Sequence, residues 1–565
     1  MASQPSQPSR FSIGVDYGTN SVRAVVVDLA DGSLIGESVY PYPTGDAGII
    51  VDPRDPNLAR QNPADYIQGF LTSVKRAVAA AKKASDSFSP DNVVGIGIDS
   101  TGSTPIPVDA DGTALALHEE FRDDPAAHAW LWKDHTSTAE AEEITRLATE
   151  APEQYLRKCG GIYSSEWYWA KILHCTRTAP RVAQAAASWV ELVDFIPGYI
   201  TGRVRPEDVP RSICAAGHKA LYHEEWGGLP SADFLQKLHA DLPRLRYSQR
   251  PQAANCAVGR LLPSIAKSVG LPSGIAVAGG AFDCHMGAIG CGVKPGVLVK
   301  AIGTSTCDIM VSPLDAPIAD VPGVCGIVPE SVLPGMYGIE AGQSGVGDIF
   351  NWFVRNLAPP QFATRNAHEL LTQEAARLTP GASGLLALDW NNGNRCVLVD
   401  QELSGLLVGQ TIHTTAPEIY RALIEATAFG ALTIINRLEE YQVSVREVVC
   451  CGGIAEKSDL LLQIYADVCN RPIKVSRNPQ TCALGAAICG AVAGGAYRTV
   501  PAAQKRMTGV KDKVYRPRKE AARTYAELFE LYKKLHDSFG NTSQTLPLHD
   551  VMKRLIAIRK RTRAE

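Results

Sequence analysis

Residues 11–29 read FSIGVDYGTNSVRAVVVDL, and residues 297–311 read VLVKAIGTSTCDIMV. In the first stretch an apolar run ends in Asp16, Tyr17-Gly18-Thr19-Asn20-Ser21 follows, and a second largely apolar run, 22–29, takes over. In the second stretch the run 297–302 leads into Gly303-Thr304-Ser305-Thr306, and 308–311 resumes a strand-like pattern. Both predict strand, tight turn, strand. Both turns mix glycine with hydroxyl residues, so backbone N–H groups and hydroxyls can close around a phosphate. Two such turns in two halves of one chain predict a duplicated α/β fold that grips a nucleotide from both sides.

Composition narrows the surroundings. At 565 residues the chain exceeds one core, and the soft expectation is roughly two to four domains, with the duplication favouring two large ones. A formal net charge of −3 offers no basic excess for nucleic acid or an anionic membrane. The basic stretch 553–563 has little aromatic interleaving and reads as a solvated helix face. Residues 1–10 are Ser/Pro/Gln-rich, lack an apolar core segment of the signal-peptide kind, and read as a disordered tail. The soft stretch 482–497 is dominated by alanine and glycine and is short for a membrane span, so it predicts a buried helix packed closely on its neighbours. The 14 cysteines include no C-x-x-C and sit mostly in apolar runs, the behaviour of small buried hydrophobes in a reducing, cytoplasmic compartment.

Strand candidates at 13–15, 22–29 and 93–98 alternate with helical runs at 63–83 and 138–149, which argues for α/β with a largely parallel central sheet. Residues 251–270 read as a transition, and 271–278 as a strand leading to Gly279-Gly280. Further on come a long amphipathic helix (417–438), a strand (447–451), a glycine turn (Gly452-Gly453), a helix (458–469), the Ala/Gly helix (482–493) and a terminal helix (519–538) with few chemical signals.

Several constellations carry chemistry. Asp16, at a strand end beside a glycine turn, can meet Mg²⁺ through water while backbone amides hold phosphate. The dipeptide Gly-Lys never occurs, which removes a Walker A loop, and Gly95-Ile96-Gly97 lacks the third glycine of a dinucleotide fingerprint. Gly342-Gln343-Ser344-Gly345 has Val346 where a nucleophile elbow needs glycine. Asp283, in GGAFDCH just past a predicted strand, is placed for general-base work on a hydroxyl, the plainer alternative being a cap on a helix at 286–290; His285 reads as a packed histidine. Gly452 and Gly453, between strand and helix, let backbone approach a flat nucleoside. Thr101-Gly102-Ser103, Trp132-Lys133-Asp134, Lys219 and Glu340 combine carboxylates, a lysine and aromatic faces as polyol sites do.

In this order the motifs resemble the FGGY family of carbohydrate kinases, whose fold belongs with actin and hexokinase: two ribonuclease H-like domains around a cleft. The segments GIGIDSTGSTPIP (95–107), LWKDHT (131–136), GIYSSEWYWAKILH (161–174), GGAFDCHMGAIG (279–290) and KAIGTSTCDI (300–309) are similar to the members that phosphorylate L-ribulose. The resemblance implies ATP-dependent phosphorylation of the 5-hydroxyl of L-ribulose in arabinose breakdown, with Mg²⁺ as the ion. It implies Asp283 as general base and Asp16 as the residue that assists Mg²⁺. Thr19 and Asn20 fall in the first phosphate turn, Gly303, Thr304 and Ser305 in the second, and Gly452 and Gly453 in the adenosine motif. Lys219, Glu340 and the Gly102 backbone match the sugar pocket, with Trp132 and Asp134 beside them. Four parts are expected: a tail (1–10), an N-terminal domain (11–278), a C-terminal domain (279–505) and a helical extension (506–565). Little match is expected beyond Val500, and similar proteins are often homodimers. A kinase for another ketopentose, such as D-ribulose or L-xylulose, shares the turns and the aspartate. A non-catalytic ATP-driven switch on the same fold would use the turns without needing Asp283, Lys219 or Glu340.

Overall fold

A computed structural model describes residues 9–316, 318–541, 546, 548 and 551–564. Most of the expected tail, residues 1–8, therefore lies outside the described residues. The two quoted stretches each found a mixed sheet. In the first lobe β1 (Phe11–Tyr17), β2 (Ser21–Asp28), β3 (Leu34–Pro41), β4 (Val93–Ser100) and β5 (Ala276–Phe282) lie in the order β3-β2-β1-β4-β5, with the short edge strand Ala257–Arg260 beyond β5. In the second lobe β6 (Val297–Ile302), β7 (Thr306–Pro313), β8 (Met336–Ala341), β9 (Glu447–Cys451) and β10 (Ile473–Val475) lie in the order β8-β7-β6-β9-β10, with Gly326–Pro329 at the edge. Each sheet pairs its first three strands antiparallel and its last two parallel to the first strand's direction. Same order and same directions are the duplication expressed in hydrogen bonds. The expectation of largely parallel sheets is corrected to mixed ones: each glycine-and-hydroxyl turn is a tight hairpin, and a hairpin reverses the chain.

Eight helices carry site residues or brace the lobes: α1 (Pro63–Ala84), α2 (Tyr168–Thr178), α3 (Ile213–Lys219), α4 (Asp283–Gly290), α5 (Ala416–Glu440), α6 (Gly453–Lys457), α7 (Thr481–Ala493) and α8 (Lys519–Gly540). α1 shows how local sequence sets an element. The Asn62 side chain accepts from the Ala64 amide, Pro63 occupies the first turn, and Lys82 and Lys83 sit in the last turn against the dipole. Its Tyr66, Phe70, Val74, Ala77 and Ala81 recur at helical spacing and are buried in the first lobe's core.

α4 and α7 join the lobes. α7 comes late in the chain yet lies against the first sheet, and only small residues permit it. A Cβ on Gly14 would stand 1.8 Å from the Ala483 carbonyl oxygen, one on Gly97 1.9 Å from that of Ala486, and one on Gly485 1.9 Å from that of Met286 in α4. This is the close packing its Ala/Gly composition predicts.

Two boundaries move. The strand expected over 271–278 begins at Ala276 and runs through Gly279-Gly280, so the glycine pair is not a bend. Gly280 is needed for close approach instead, since a Cβ there would lie 2.3 Å from Val193 Cγ2. The expected transition at 251–270 contains the edge strand Ala257–Arg260 and the helix Pro263–Val269, whose Ile265 and Val269 belong to the first core. A division at 278/279 would cut β5; the chain leaves the first lobe only after α4. No helix among the described residues is long and apolar enough to cross a membrane.

Candidate active site

Three carboxylates meet at the ends of three adjacent strands. In the parallel register Asp16 of β1 pairs with Asp99 of β4, and Asp99 with Ala281 of β5. Asp283 follows β5 immediately as the first residue of α4, and its Oδ1 accepts from the Cys284 amide at 2.7 Å. Burial, helped by repulsion from Asp16 and Glu340 and opposed by the Cys284 amide and Lys219, pushes the Asp283 carboxyl up to about 7. Burial also raises Asp16, against the pull of Asp99 and of Arg23, whose guanidinium is 3.4 Å away. Asp99 is raised by burial and by repulsion from Asp16 and Asp283. It is fully buried, and among the described residues neither of its oxygens meets a hydrogen-bond donor. Clustered acids with two orphaned, buried oxygens suit a divalent cation, which prefers oxygen ligands. Asp99 went unnoticed in the sequence, although an acid closing the strand beside that of Asp16 was a usable signal.

The two turns are tight hairpins with outward-facing tips. Gly18 N–H donates to Ser21 O and Gly303 N–H to Ser305 O, each at 3.0 Å. Asn20, Gly303 and Thr304 are exposed. The first turn is braced from behind: Gln61 Nε2 donates to Thr19 O at 2.7 Å, and Trp132 Nε1 to Thr19 Oγ1 at 3.1 Å. The second is seated on the helix Gly347–Asn356, whose first amides, with that of Val346, donate to Gly303 O and Thr304 O. Below it Lys300 Nζ bonds both oxygens of Asp308 at 2.9 and 2.8 Å and Gln343 Oε1 at 2.8 Å.

The polyol candidates separate into two groups. Lys219, at the end of α3 in the first lobe, donates to Glu340 of β8 in the second at 2.9 Å, so this pair spans the lobes. Against the cost of burial, the Lys219 ammonium holds the Glu340 carboxyl well below the usual range, and the carboxylate holds the ammonium above its own. The ammonium lies 5.1 Å from the ring centre of Trp167 and 5.8 Å from that of Phe282, next to Asp283. Gly102 rests on the same Phe282 ring, where a Cβ would stand 2.3 Å from Cδ1. Asp134 is corrected: its Oδ2 takes Arg60 and the Ala59 amide, its Oδ1 takes the amide and hydroxyl of Thr136, and the side chain is fully buried. With every lone pair taken it holds its own loop and has nothing left for a sugar. Trp132 on that loop directs its indole N–H to Thr19, in the first hairpin turn. Lys171 of α2 was missed: fully buried, it donates to the carbonyls of Ser103 (2.9 Å) and Leu131 (2.8 Å) and so ties the Gly102 and Trp132 loops together.

Gly452 and Gly453 close β9 and open α6. Gly452 has φ +92°, and a Cβ would stand 2.5 Å from Ile302 O. Gly453 is exposed and faces open space, as a surface for a flat base requires.

Residues 11–290 match the N-terminal domain, and residues 298–494 the C-terminal domain, of the FGGY family of carbohydrate kinases. A ribulokinase of Halalkalibacterium halodurans is 41% identical over 98% of this chain and 98% of its own. A ribulokinase of Mycolicibacterium smegmatis is 40% identical over 97% of each. Such coverage reaches well past Val500, which corrects the expectation of little match there. Among solved structures, xylulose kinase from Rhodospirillum rubrum superposes with a TM-score of 0.76 over 94% of this chain and 99% of that one, at 23% identity. Plasmodium falciparum glycerol kinase with ADP gives a TM-score of 0.74 over 93% of this chain and 98% of that one, at 14% identity. These two share the fold.

Proposed function

The chain belongs to the FGGY family of carbohydrate kinases, and from that membership we propose that it moves the terminal phosphoryl group of ATP to the 5-hydroxyl of L-ribulose, giving L-ribulose 5-phosphate in the cytoplasmic breakdown of L-arabinose. The observation that carries the choice of sugar is the 41% likeness to a ribulokinase over nearly the whole of both chains.

Lys219 and Glu340 hold sugar hydroxyls from opposite lobes, with Trp167 and Phe282 as the apolar wall and Gly102 admitting the sugar to the backbone. The 5-hydroxyl lies against Asp283, whose carboxylate takes its proton as the bond to phosphorus forms. Thr19 and Asn20 receive the polyphosphate on one side and Gly303, Thr304 and Ser305 on the other, through amides and hydroxyls of the two hairpins. Gly452 and Gly453 receive the adenosine. Asp16, with Asp99 beside it, would hold Mg²⁺ through water, and the ion would supply positive charge to the polyphosphate. The lobes closing on α4 and α7 exclude water, which otherwise competes for the phosphoryl group.

ADP release measured over a panel of ketopentoses tests the proposal. L-ribulose gives the highest kcat/KM, above D-ribulose and L-xylulose; a different best ketose reassigns the substrate, and no sugar-stimulated ADP overturns the reading. Asp283→Asn leaves ATP and sugar binding in place and lowers kcat by at least about 10²-fold. Turnover near that of the unchanged protein removes Asp283 from the role.

A further inference from the structure

Two imidazoles lie against the Lys219–Glu340 pair, and no step of the proposed reaction uses them. His218 precedes Lys219 on α3, and His285 stands two residues after Asp283 on α4; both are buried. Their Nε2 atoms are 3.1 Å apart, and His285 Nε2 is itself 3.6 Å from Glu340 Oε2. His218 Nδ1 is 3.4 Å from Glu340 Oε2, an electrostatic contact too oblique for a hydrogen bond. His285 Nδ1 lies 3.3 Å from Cys284 Sγ. The edge strand is shaped around the first ring: a Cβ on Gly326 would stand 2.2 Å from His218 Nδ1.

Two ring nitrogens at this separation share one proton, so one donates and the other accepts. Burial keeps both imidazoles neutral, His285 down to about 4 and His218 well below its ordinary value. If His218 were the donor in this bond, its bare Nδ1 lone pair would face a carboxylate oxygen at 3.4 Å. The opposite assignment turns an N–H toward that carboxylate and leaves His218 Nε2 to accept from His285 and from the Ser331 hydroxyl, 3.1 Å away. Cys284 S–H donates to His285 Nδ1, His285 Nε2–H donates to His218 Nε2, and His218 Nδ1–H faces Glu340.

We propose that His218 and His285 are a positioning pair for Glu340: through them the helix that begins with Asp283 fixes, across the lobe boundary, the carboxylate that receives the sugar. The inference rests on the sugar-kinase reading. It accounts for why two histidines are sealed beside a carboxylate that already has a lysine. Lys219 supplies the opposite charge, and the pair supplies direction.

Amide substitutions test it, because asparagine imitates Nδ1 and glutamine imitates Nε2. At position 218 the Nδ1 donor matters, so His218→Gln raises the KM for L-ribulose about tenfold while His218→Asn stays within about threefold. At position 285 the Nε2 donor matters, so the order reverses: His285→Asn raises that KM and His285→Gln preserves it. In all four variants kcat and the KM for ATP stay within about twofold. A ring that only filled space would respond alike to both amides, so equal effects at each position, or a loss carried by kcat, overturn the inference. Where one position fails to fold, the contrast at the other decides. Cys214, His218 and His285 present ligand atoms within 4.8 Å of one another, so one equivalent of bound zinc in the purified protein would also overturn it. Absence of ketose turnover in the unchanged protein overturns the proposed function and this inference with it; turnover without the reversed pattern overturns this inference alone.

Discussion

Asp283 is an ordinary acid in a peptide, and in the fold its carboxyl is pushed up to about 7. Burial removes the water that would stabilise its charge, and Asp16 and Glu340 add repulsion that Lys219 and one amide only partly offset. These shifts fix the sign of the pH dependence. Below about 7 the carboxyl is protonated and cannot accept the hydroxyl proton, so kcat/KM for the ketose falls about tenfold per pH unit as pH drops and levels off above. A profile flat from pH 8 to pH 5 would remove Asp283 as the base. The same shift acts on stability in the opposite sense. A carboxyl whose folded value lies above its unfolded 3.8 favours the fold while protonated, and that contribution is lost as pH rises toward about 7. Single residues also show where reading by type goes astray. Asp134 has the right chemistry for a sugar contact, yet all its acceptor capacity is taken by Arg60, Ala59 and Thr136.

Among the elements, α4 and α7 decide whether the lobes can meet. Met286 O stands where a side chain at 485 would begin, and Thr481 O stands 2.0 Å from where one at 290 would begin. The obstacles are backbone, which cannot step aside as a side-chain tip can. Gly485→Ala therefore costs about 1–3 kcal/mol of stability, the usual range for overpacking, read as a lower urea midpoint at unchanged slope. An unchanged midpoint would show that the two helices are free to separate. The composition of 482–497 announced a closely packed helix. That its partner is the sheet of the other lobe required the fold, because a small-residue surface specifies close approach without specifying to what.

On the scale of the whole molecule, the long helix α8 near the C-terminus is part of the second lobe rather than an appendage. α8 buries Tyr525, Leu528, Leu531, Tyr532 and Leu535 in that lobe's core. Tyr525 Oη donates to Glu425 at 2.7 Å and accepts from Arg421 at 2.8 Å, both of α5. Tyr532 Oη donates to Asp389 at 3.0 Å, Asp389 accepts from Gln343 at 2.7 Å, and Gln343 accepts from Lys300, whose ammonium also reaches Thr306 at the foot of the second hairpin turn. A chain ended at Arg518 loses this wall of the core and leaves Asp389 and Arg421 short of partners, so it is expected to be insoluble or aggregated on expression. A soluble, active truncation would show that α8 is dispensable.

The sequence by itself determined the elements and their punctuation: two hairpins with glycine and hydroxyl tips, Asp16 and Asp283 at strand ends, and the long helices to within a residue or two. These are set by neighbours along the chain, through strand and helix periodicity and the few residues that tolerate tight turns. The tertiary structure alone decided which polar groups share one place. It brought Asp99 to Asp16, set Lys219 against Glu340 across 121 residues, sealed His218 beside His285, and withdrew Asp134 into an ion pair. A side chain's charge and acceptor capacity depend on what desolvates and bonds it, and those partners arrive from distant parts of the chain only when the core closes.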